Sequence, residues 1–268
     1  MERRTRLHLD VQQPPWRVVR AFTQENGGSL VHLHNVSGGV LSGDHLGLEI
    51  NIGPGSIAQV TTTGATRLYR HRAGSADSVQ HVKIDVGEGA LLEYLPDALI
   101  PFAGARHRQS TSISLAKGAT LFAWDVLAPG RQAMGETFAF DHLHIQTELR
   151  SGDRPLLLEN LLLDPVKRPL DSVARLGPYT HVANFYACSV GAATAKWREL
   201  ELELNQFCSA KSRPGVIIWG ASTLVADGIA VRGLSLSARD VPATLAAIWS
   251  IAKRFLTGED AILPRKVY

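Results

Sequence analysis

The sequence predicts a mainly β protein: stacked β-hairpins in an elongated, β-helix-like or layered body, with two helices near the C-terminus. Three observations carry this. A strand–turn–strand unit recurs three times in the first half of the chain. Short alternating apolar runs are separated by Gly- and Pro-rich turns, with no amphipathic helix of about 10–15 residues between them, which disfavours a βαβ sheet. From about residue 195 the apolar residues switch to helical spacing. The expected organisation is a single domain over 1–268: a β-rich body at about 5–190, then a helix–hairpin–helix appendage at about 195–258.

The repeat reads Ile50-Asn-Ile-Gly-Pro-Gly-Ser-Ile-Ala, then Ile84-Asp-Val-Gly-Glu-Gly-Ala-Leu-Leu, then Ile113-Ser-Leu-Ala-Lys-Gly-Ala-Thr-Leu. Its fixed glycines are Gly55, Gly89 and Gly118. A unit of this size cannot bury its own apolar face, so copies stack.

In chain order, Leu7, Leu9 and Val11 alternate, Pro14-Pro15 interrupts, and Trp16 to Arg20 resumes. Asn26-Gly27-Gly28 turns the chain, and Leu30 to Val36 is a third strand carrying His32 and His34 on one face. The glycine-studded turn Gly38 to Asp44 follows. No helix comes after it and no GK[ST] is present, so it is a wide turn presenting Asp44 and not a phosphate loop. Residues 136–150 continue as strand with a second same-face pair, His142 and His144. Either pair could ligate a metal, but neither has a third ligand in view, and a polar sheet face is the plainer reading. Leu163 to Pro178 is loop-like, and His181 to Val190 is a strand.

Trp197, Leu200, Leu204, Phe207 and Cys208 share one helical face, although LELEL also alternates and leaves a strand as the competing reading. Val216–Trp219, Thr223–Ala226 and Ile229–Leu234 read as strands with an Asp227-Gly228 hairpin signal. A final helix starts near Asp240, with Pro242 in its first turn and Gly258 as its stop. Its stripe of Leu245, Ile248, Trp249, Ala252, Phe255 and Leu256 suits core packing.

With 45% hydrophobic and 20% charged residues, the 268-residue chain can build a sizeable core. A net charge of only +3, with no long basic run beyond MERRTR, argues against a nucleic-acid partner. No apolar run is long enough to cross a membrane and no signal-peptide pattern opens the chain, so a cytoplasmic protein is expected. Cys188 and Cys208 lie twenty positions apart without CxxC spacing and read as buried free thiols.

No GxSxG, HExxH or other nucleophile constellation is visible. What stands out is four acids in glycine-rich or apolar strand context: Asp44, Glu93, Asp125 and Glu159. A buried carboxylate is costly unless it is paired, hydrogen-bonded or metal-bound. Two readings stay open. The acids hold loops, pair with Arg67, Arg70, Arg106 or Arg131, or face solvent; or they line a polar interior path suited to a hard cation.

The order of motifs resembles the urease accessory protein UreD (UreH) family. The turn Gly38-Gly39-Val40-Leu41-Ser42-Gly43-Asp44 is followed by a strand and Pro54-Gly55, then Thr62-Thr63-Gly64-Ala65-Thr66-Arg67-Leu68-Tyr69-Arg70. Leu91-Leu92-Glu93-Tyr94-Leu95-Pro96 comes next, and Val231-Arg232 before the last helix closes the match, which covers about residues 15–258. Ser42 stands where the family usually has glycine, and Gly64 where a longer polar residue is usual.

The resemblance implies a non-enzymatic scaffold that acts with UreF and the GTPase UreG to deliver nickel to apo-urease. GTP hydrolysis then belongs to UreG, and no cofactor is permanently bound. Asp44, Glu93, Asp125 and Glu159 become candidates for a transient Ni(II) route, because oxygen ligands hold Ni(II) less tightly than thiolate or imidazole clusters. Exposed apolar surface for partners, or for self-association into a dimeric complex, is expected at the C-terminal helix and the Leu163–Pro178 loop. Two other classes compete: a carbohydrate-active β-helical or β-sandwich enzyme using paired carboxylates, and a stand-alone metal-binding protein. The 7% aromatic content weighs against sugar platforms.

Overall fold

Alternating side chains on a strand face opposite ways, so a strand that buries both faces must lie between two apolar layers. The middle of this chain does so. The structure, a computed structural model, describes residues 4–18 and 20–264. Val19 of the second expected strand, the first residues of the basic N-terminal run and the last four of the tail lie outside the described residues.

The strands run β1 (Trp16–Arg17), β2 (Ala21–Thr23), β3 (Ser29–Asn35), β4 (His45–Ile52), β5 (Ile57–Thr62) and β6 (Thr66–Leu68). They continue with β7 (Ser78–Val86), β8 (Leu91–Leu95), β9 (Leu99–Pro101), β10 (Arg106–Leu115) and β11 (Thr120–Leu127). Then come β12 (His142–Ser151), β13 (Arg154–Leu163), β14 (His181–Ser189), the helix α1 (Thr194–Lys211), β15 (Ile217–Thr223), β16 (Gly228–Ser235) and the helix α2 (Asp240–Thr257).

Two sheets result. The larger runs β1-β3-β5-β8-β11-β14-β16-β15, with β2, β6 and β9 attached; the smaller runs β13-β12-β10-β7-β4. The expected class, mainly β and layered with two helices near the C-terminus, is what the chain adopts. The repeat unit, however, is an arch and not a hairpin. The strands on either side of each glycine turn enter different sheets: β4 and β5, β7 and β8, β10 and β11. Each pairs in parallel with its counterpart in the next copy. Ile50, Ile84 and Ile113 align across β4, β7 and β10, and Ala58, Leu92 and Leu121 align across β5, β8 and β11.

The arches stack through their turns. The Gly55 amide donates to the Glu88 carbonyl (2.9 Å), and the Gly89 amide donates to the Lys117 carbonyl (3.0 Å). All three repeat glycines have φ between 61° and 71°, a region costly for any residue with a Cβ.

Three apolar clusters follow from this layering. One fills the space between the sheets (Ile84, Leu92, Ile113, Leu121, Leu149). A second continues it toward one end (Val40, Leu68, Phe140, Leu143). The third lies on the opposite face of the large sheet, where Phe122, Phe185, Ile229 and Val231 meet Trp197, Leu200 and Leu204 of α1 and Leu245, Ile248 and Trp249 of α2. The apolar stripe of α2 is therefore core, and the α1 segment is helix and not strand.

Several local expectations shift. Leu7 to Val11 forms no strand: Leu9 and Val11 are exposed, so their alternation packs against nothing. Residues 136–141 form no strand, which begins only at His142. Thr223–Ala226 is the end of β15 and the turn into β16. Asp240 begins α2 and makes no side-chain capping bond, but its charge sits in the first turn, where the helix dipole favours an anion.

Candidate functional site

Strand alternation decides where each of the four acids goes. In β11, Leu121, Ala123 and Asp125 face the space between the sheets, while Phe122, Trp124 and Val126 face the helix layer. In β8 the parity puts Leu92 and Tyr94 between the sheets and Glu93 toward the helices. In β13, Leu157, Glu159 and Leu161 face inward, while Leu158 and Leu162 are exposed. The structure thus brings Asp125 and Glu159 together from different sheets and places Asp44 and Glu93 elsewhere.

Asp44 belongs to the glycine turn. Its Oδ2 accepts the Leu41 amide at 2.8 Å, and its carbonyl accepts the Val79 amide. Gly39 lets this turn lie against the Arg67–Tyr69 backbone, since a Cβ there would come within 2.6 Å of the Arg67 carbonyl oxygen. Ser42 ties the turn to the next loop by donating to the Arg70 carbonyl and accepting the Arg72 amide. Asp44 precedes β4 at one edge of the small sheet, and Glu159 sits on β13 at the other, separated across the sheet by four interstrand spacings, about 19 Å, and further offset along the strands.

Glu93 is sealed under α2. Lys253 Nζ lies 2.8 Å from its Oε1, Trp249 Nε1 donates to the same oxygen at 3.1 Å, and Gln59 Nε2 donates to Oε2 at 2.8 Å. Both charged side chains are almost wholly buried. Burial pushes the Glu93 carboxyl above its ordinary value, and Lys253, Gln59 and Trp249 pull it back.

Asp125, Asn184 and Arg232 form one row across β11, β14 and β16. Asn184 Nδ2 donates to Asp125 Oδ1 at 2.9 Å. Two residues along β14, the Tyr186 hydroxyl lies 3.3 Å from Asp125 Oδ2 and 2.8 Å from Glu159 Oε2. Arg232 pairs with the other Glu159 oxygen through a short contact from Nη2. A hydroxyl has one proton and donates to one carboxylate at a time, so the second contact is best served with the proton on Asp125. Burial, with Glu159 nearby, pushes the Asp125 carboxyl up to about 6 against the bonds from Asn184 and Tyr186, so it takes up a proton at a higher pH than an ordinary aspartate. Burial and the two carboxylates raise the Tyr186 phenol, so it stays a neutral donor.

Asp125 and Tyr186 line a cavity of about 70 Å³ between the sheets, whose walls include Gln80, Gln109, Thr111 and Thr147. That volume suits about two waters. Gln80 is buried and its Oε1 has no hydrogen-bond partner among the described residues. Hydroxyl, amide and carboxylate oxygens are the donors a hydrated, hard-to-borderline divalent cation accepts without being held tightly.

A wider cleft of about 440 Å³ opens at the ends of β7, β10 and β12, but its charges cancel locally. Arg106 pairs with Asp141 (3.2 Å), Arg108 with Asp77 (3.7 Å) and Lys167 with Asp164 (3.0 Å). One histidine of each pair finds a polar neighbour, His34 at Thr63 and His144 at Asn160, while His32 Nε2 and His142 Nδ1 are buried without a hydrogen-bond partner among the described residues. Cys188 lies between the sheets and Cys208 in the helix layer, and burial pushes their thiols up to about 12 and about 11. Among the described residues, no three His, Cys, Asp or Glu side chains group as a metal-binding set.

The arginines that the sequence offers as acid partners go elsewhere. Arg131 holds Glu136, Arg106 holds Asp141, and Arg67 and Arg70 donate to the carbonyls of Gly38 and Ala103. The partners in use are Arg232 and Lys253, both far along the chain. Lys253 had a signal: it is the one Lys in the apolar α2 stretch Val241–Phe255, next to Ala252 of the stripe. Tyr186 and Asn184 carried none beyond strand parity.

The profile of the family described as UreD urease accessory protein matches residues 1–268. A urease accessory protein UreD of Herpetosiphon aurantiacus is 42% identical over 267 residues, spanning 100% of this chain and 93% of the relative. One of Marinobacter nauticus is 32% identical over 266 residues, spanning 97% and 85%. A urease accessory protein UreH of Helicobacter pylori is 28% identical over 187 residues, spanning 70% of each. The chain belongs to the UreD family of urease accessory proteins.

Proposed function

We propose that this chain is a non-catalytic scaffold in urease maturation. It works with UreF- and UreG-type partners in the cytoplasm to deliver nickel to apo-urease, and passes Ni(II) between its two sheets at Asp125 and Glu159. Family membership supports the role in urease maturation. One observation supports the passage above the others: carboxylates from two different sheets converge on one buried tyrosine hydroxyl beside a cavity that several polar side chains help to line. Nickel is cargo in this reading, so two oxygen donors that share a proton and an arginine suit it better than a closed site that would retain the ion. GTP hydrolysis belongs to the UreG-type partner. Leu158, Leu162, Val166 and Val173 are exposed and supply apolar surface on β13 and the loop after it for a UreF-type partner or a second copy.

The test is urease activation in cells carrying the full accessory set, with assembly of the complex checked for each variant. Asp125→Asn and Glu159→Gln should each lower activation by about tenfold or more while the complex still forms. Asp44→Asn and Glu93→Gln, whose carboxylates already serve the turn and α2, separate a route through all four acids from one through two. Normal activation by both Asp125→Asn and Glu159→Gln removes the passage reading.

A further inference from the structure

We propose that Arg232 is the gate of this site: its guanidinium occupies Glu159 at the margin of the sandwich, and a divalent cation enters by drawing Glu159 off Arg232 and sharing it with Asp125. The inference rests on the passage reading and adds its regulation.

The contacts form one unbroken run from solvent to the interior. Arg232 is more than half exposed, at 55% of its side chain, and Glu159 shows 20%. Glu159 meets Arg232 through Oε1 and Tyr186 through Oε2, and Tyr186 meets Asp125, which lines the cavity. Gln80, on the smaller sheet across that cavity, presents a carboxamide oxygen without a partner among the described residues, and the residue is only 8% exposed. One carboxylate at the cavity wall, a second joined to it through the Tyr186 hydroxyl, and an unpaired oxygen on a residue lining the same cavity are donors suited to a cation. The outermost of these donors already carries one.

Arginine stays charged at every working pH, so it leaves an anion by moving and not by losing its proton. An ion pair this exposed is weak, because water competes for both partners. Arg232 can therefore swing outward at small cost. A divalent ion offers Glu159 and Asp125 more charge than one guanidinium does, since Arg232 pairs directly with Glu159 and acts on Asp125 only at longer range. Asn184 stands between Arg232 and Asp125 in the strand row and already bonds Asp125, which keeps the arginine on the outer carboxylate. In the resting state the gate repels cations; once Arg232 is displaced, two acids face the ion.

Nickel chloride titrated calorimetrically into the purified full-length chain tests this directly. Arg232→Gln should bind Ni(II) about tenfold more tightly than the parent, because a competing unit charge beside the carboxylate is gone. Adding Glu159→Gln to it should return binding to the parental level or below. Arg232→Lys keeps the charge without the planar fork and should fall between, which provides a second reading if the glutamine variant folds poorly. Equal Ni(II) affinity in the parent and both arginine variants overturns the gate. Failure of the gate and failure of the passage give different patterns. If Asp125→Asn and Glu159→Gln block urease activation but Arg232→Gln titrates like the parent, the passage stands and the gate falls. If those acid variants activate normally, the passage falls, and a tightened Arg232→Gln titration would mark a cation site outside the delivery route.

Discussion

A single buried proton site can be read from its effect on stability. His107 on β10 is fully buried, bonds Ser78 Oγ through Nδ1 at 2.9 Å, and has no partner for Nε2 among the described residues. Burial pushes its imidazole down to about 4. Below its unfolded value of 6.5 the unfolded chain takes up a proton that the folded chain refuses, so stability is full above that pH and falls as pH drops toward 4. Between pH 7 and 5 this group alone should cost about 2 kcal/mol. Asp125 acts in the opposite sense. Its carboxyl is pushed up to about 6, so the folded chain keeps a proton that the unfolded chain has released, and stability falls as pH rises from about 4 through 6. In urea unfolding, His107→Leu should lose about 2 kcal/mol less than the parent on going from pH 7 to 5. Asp125→Asn should be about 1 to 3 kcal/mol more stable than the parent at pH 7 and should lose more of its stability on acidification. Parallel pH profiles for the parent and both variants would show that neither group is shifted. A gain in stability from Asp125→Asn alongside a loss of urease activation would separate a functional acid from a structural one.

Between elements, a buried ion pair joins α2 to the large sheet through Glu93 and Lys253. Removing one partner leaves a charge buried without compensation, so Lys253→Met should cost about 3 to 5 kcal/mol. The double change Lys253→Met with Glu93→Gln should recover most of that, since it leaves no uncompensated charge and the amide oxygen can still accept from Trp249 or Gln59. Thermal unfolding of the parent, the two single variants and the double variant measures the coupling; additive losses would mean the pair is not a unit. The sequence marked Glu93 as an awkward acid, because one carboxylate inside LLEYL violates the apolar run, but its partner lies 160 positions away and no local pattern points there. The same limit applies to the arches. A strand–glycine turn–strand unit has the same alternation whether its strands pair with each other or with neighbouring copies, so a hairpin is the natural first reading of Ile50 to Ala58. The repeat itself held the answer: Ile50, Ile84 and Ile113 keep the same place relative to their glycines, which parallel stacking requires and hairpin pairing does not. Asp125 and Glu159 were legible as misfits in apolar strands, and their meeting was not, because it depends on how one sheet lies over the other.

For the whole molecule, the apolar surface left uncovered says where partners attach. The stripe of α2 is consumed by the core, with Leu245, Ile248, Trp249 and Ala252 all buried, so that helix presents no open apolar face along these residues. Four exposed apolar side chains lie instead along β13 and the loop after it: Leu158 and Leu162 on the outer face, then Val166 and Val173. β13 is also the edge of the small sheet, so it offers unpaired backbone beside its leucines. Edge strands are normally blunted by charge or proline, and Pro155 lies only at the start of this one. The same strand carries Glu159 on its inner face, which places partner contact and the proposed passage on opposite sides of one element. Changing Leu158 and Leu162 together to serine should therefore leave thermal stability within about 0.5 kcal/mol, since neither side chain is buried. It should also shift the isolated full-length chain from aggregated or self-associated species toward monomer on size-exclusion chromatography, and weaken co-purification with a co-expressed UreF-type partner. Retention of both self-association and partner binding in this variant would move the interface off β13. Loss of self-association with partner binding intact would assign the leucines to contact between copies alone.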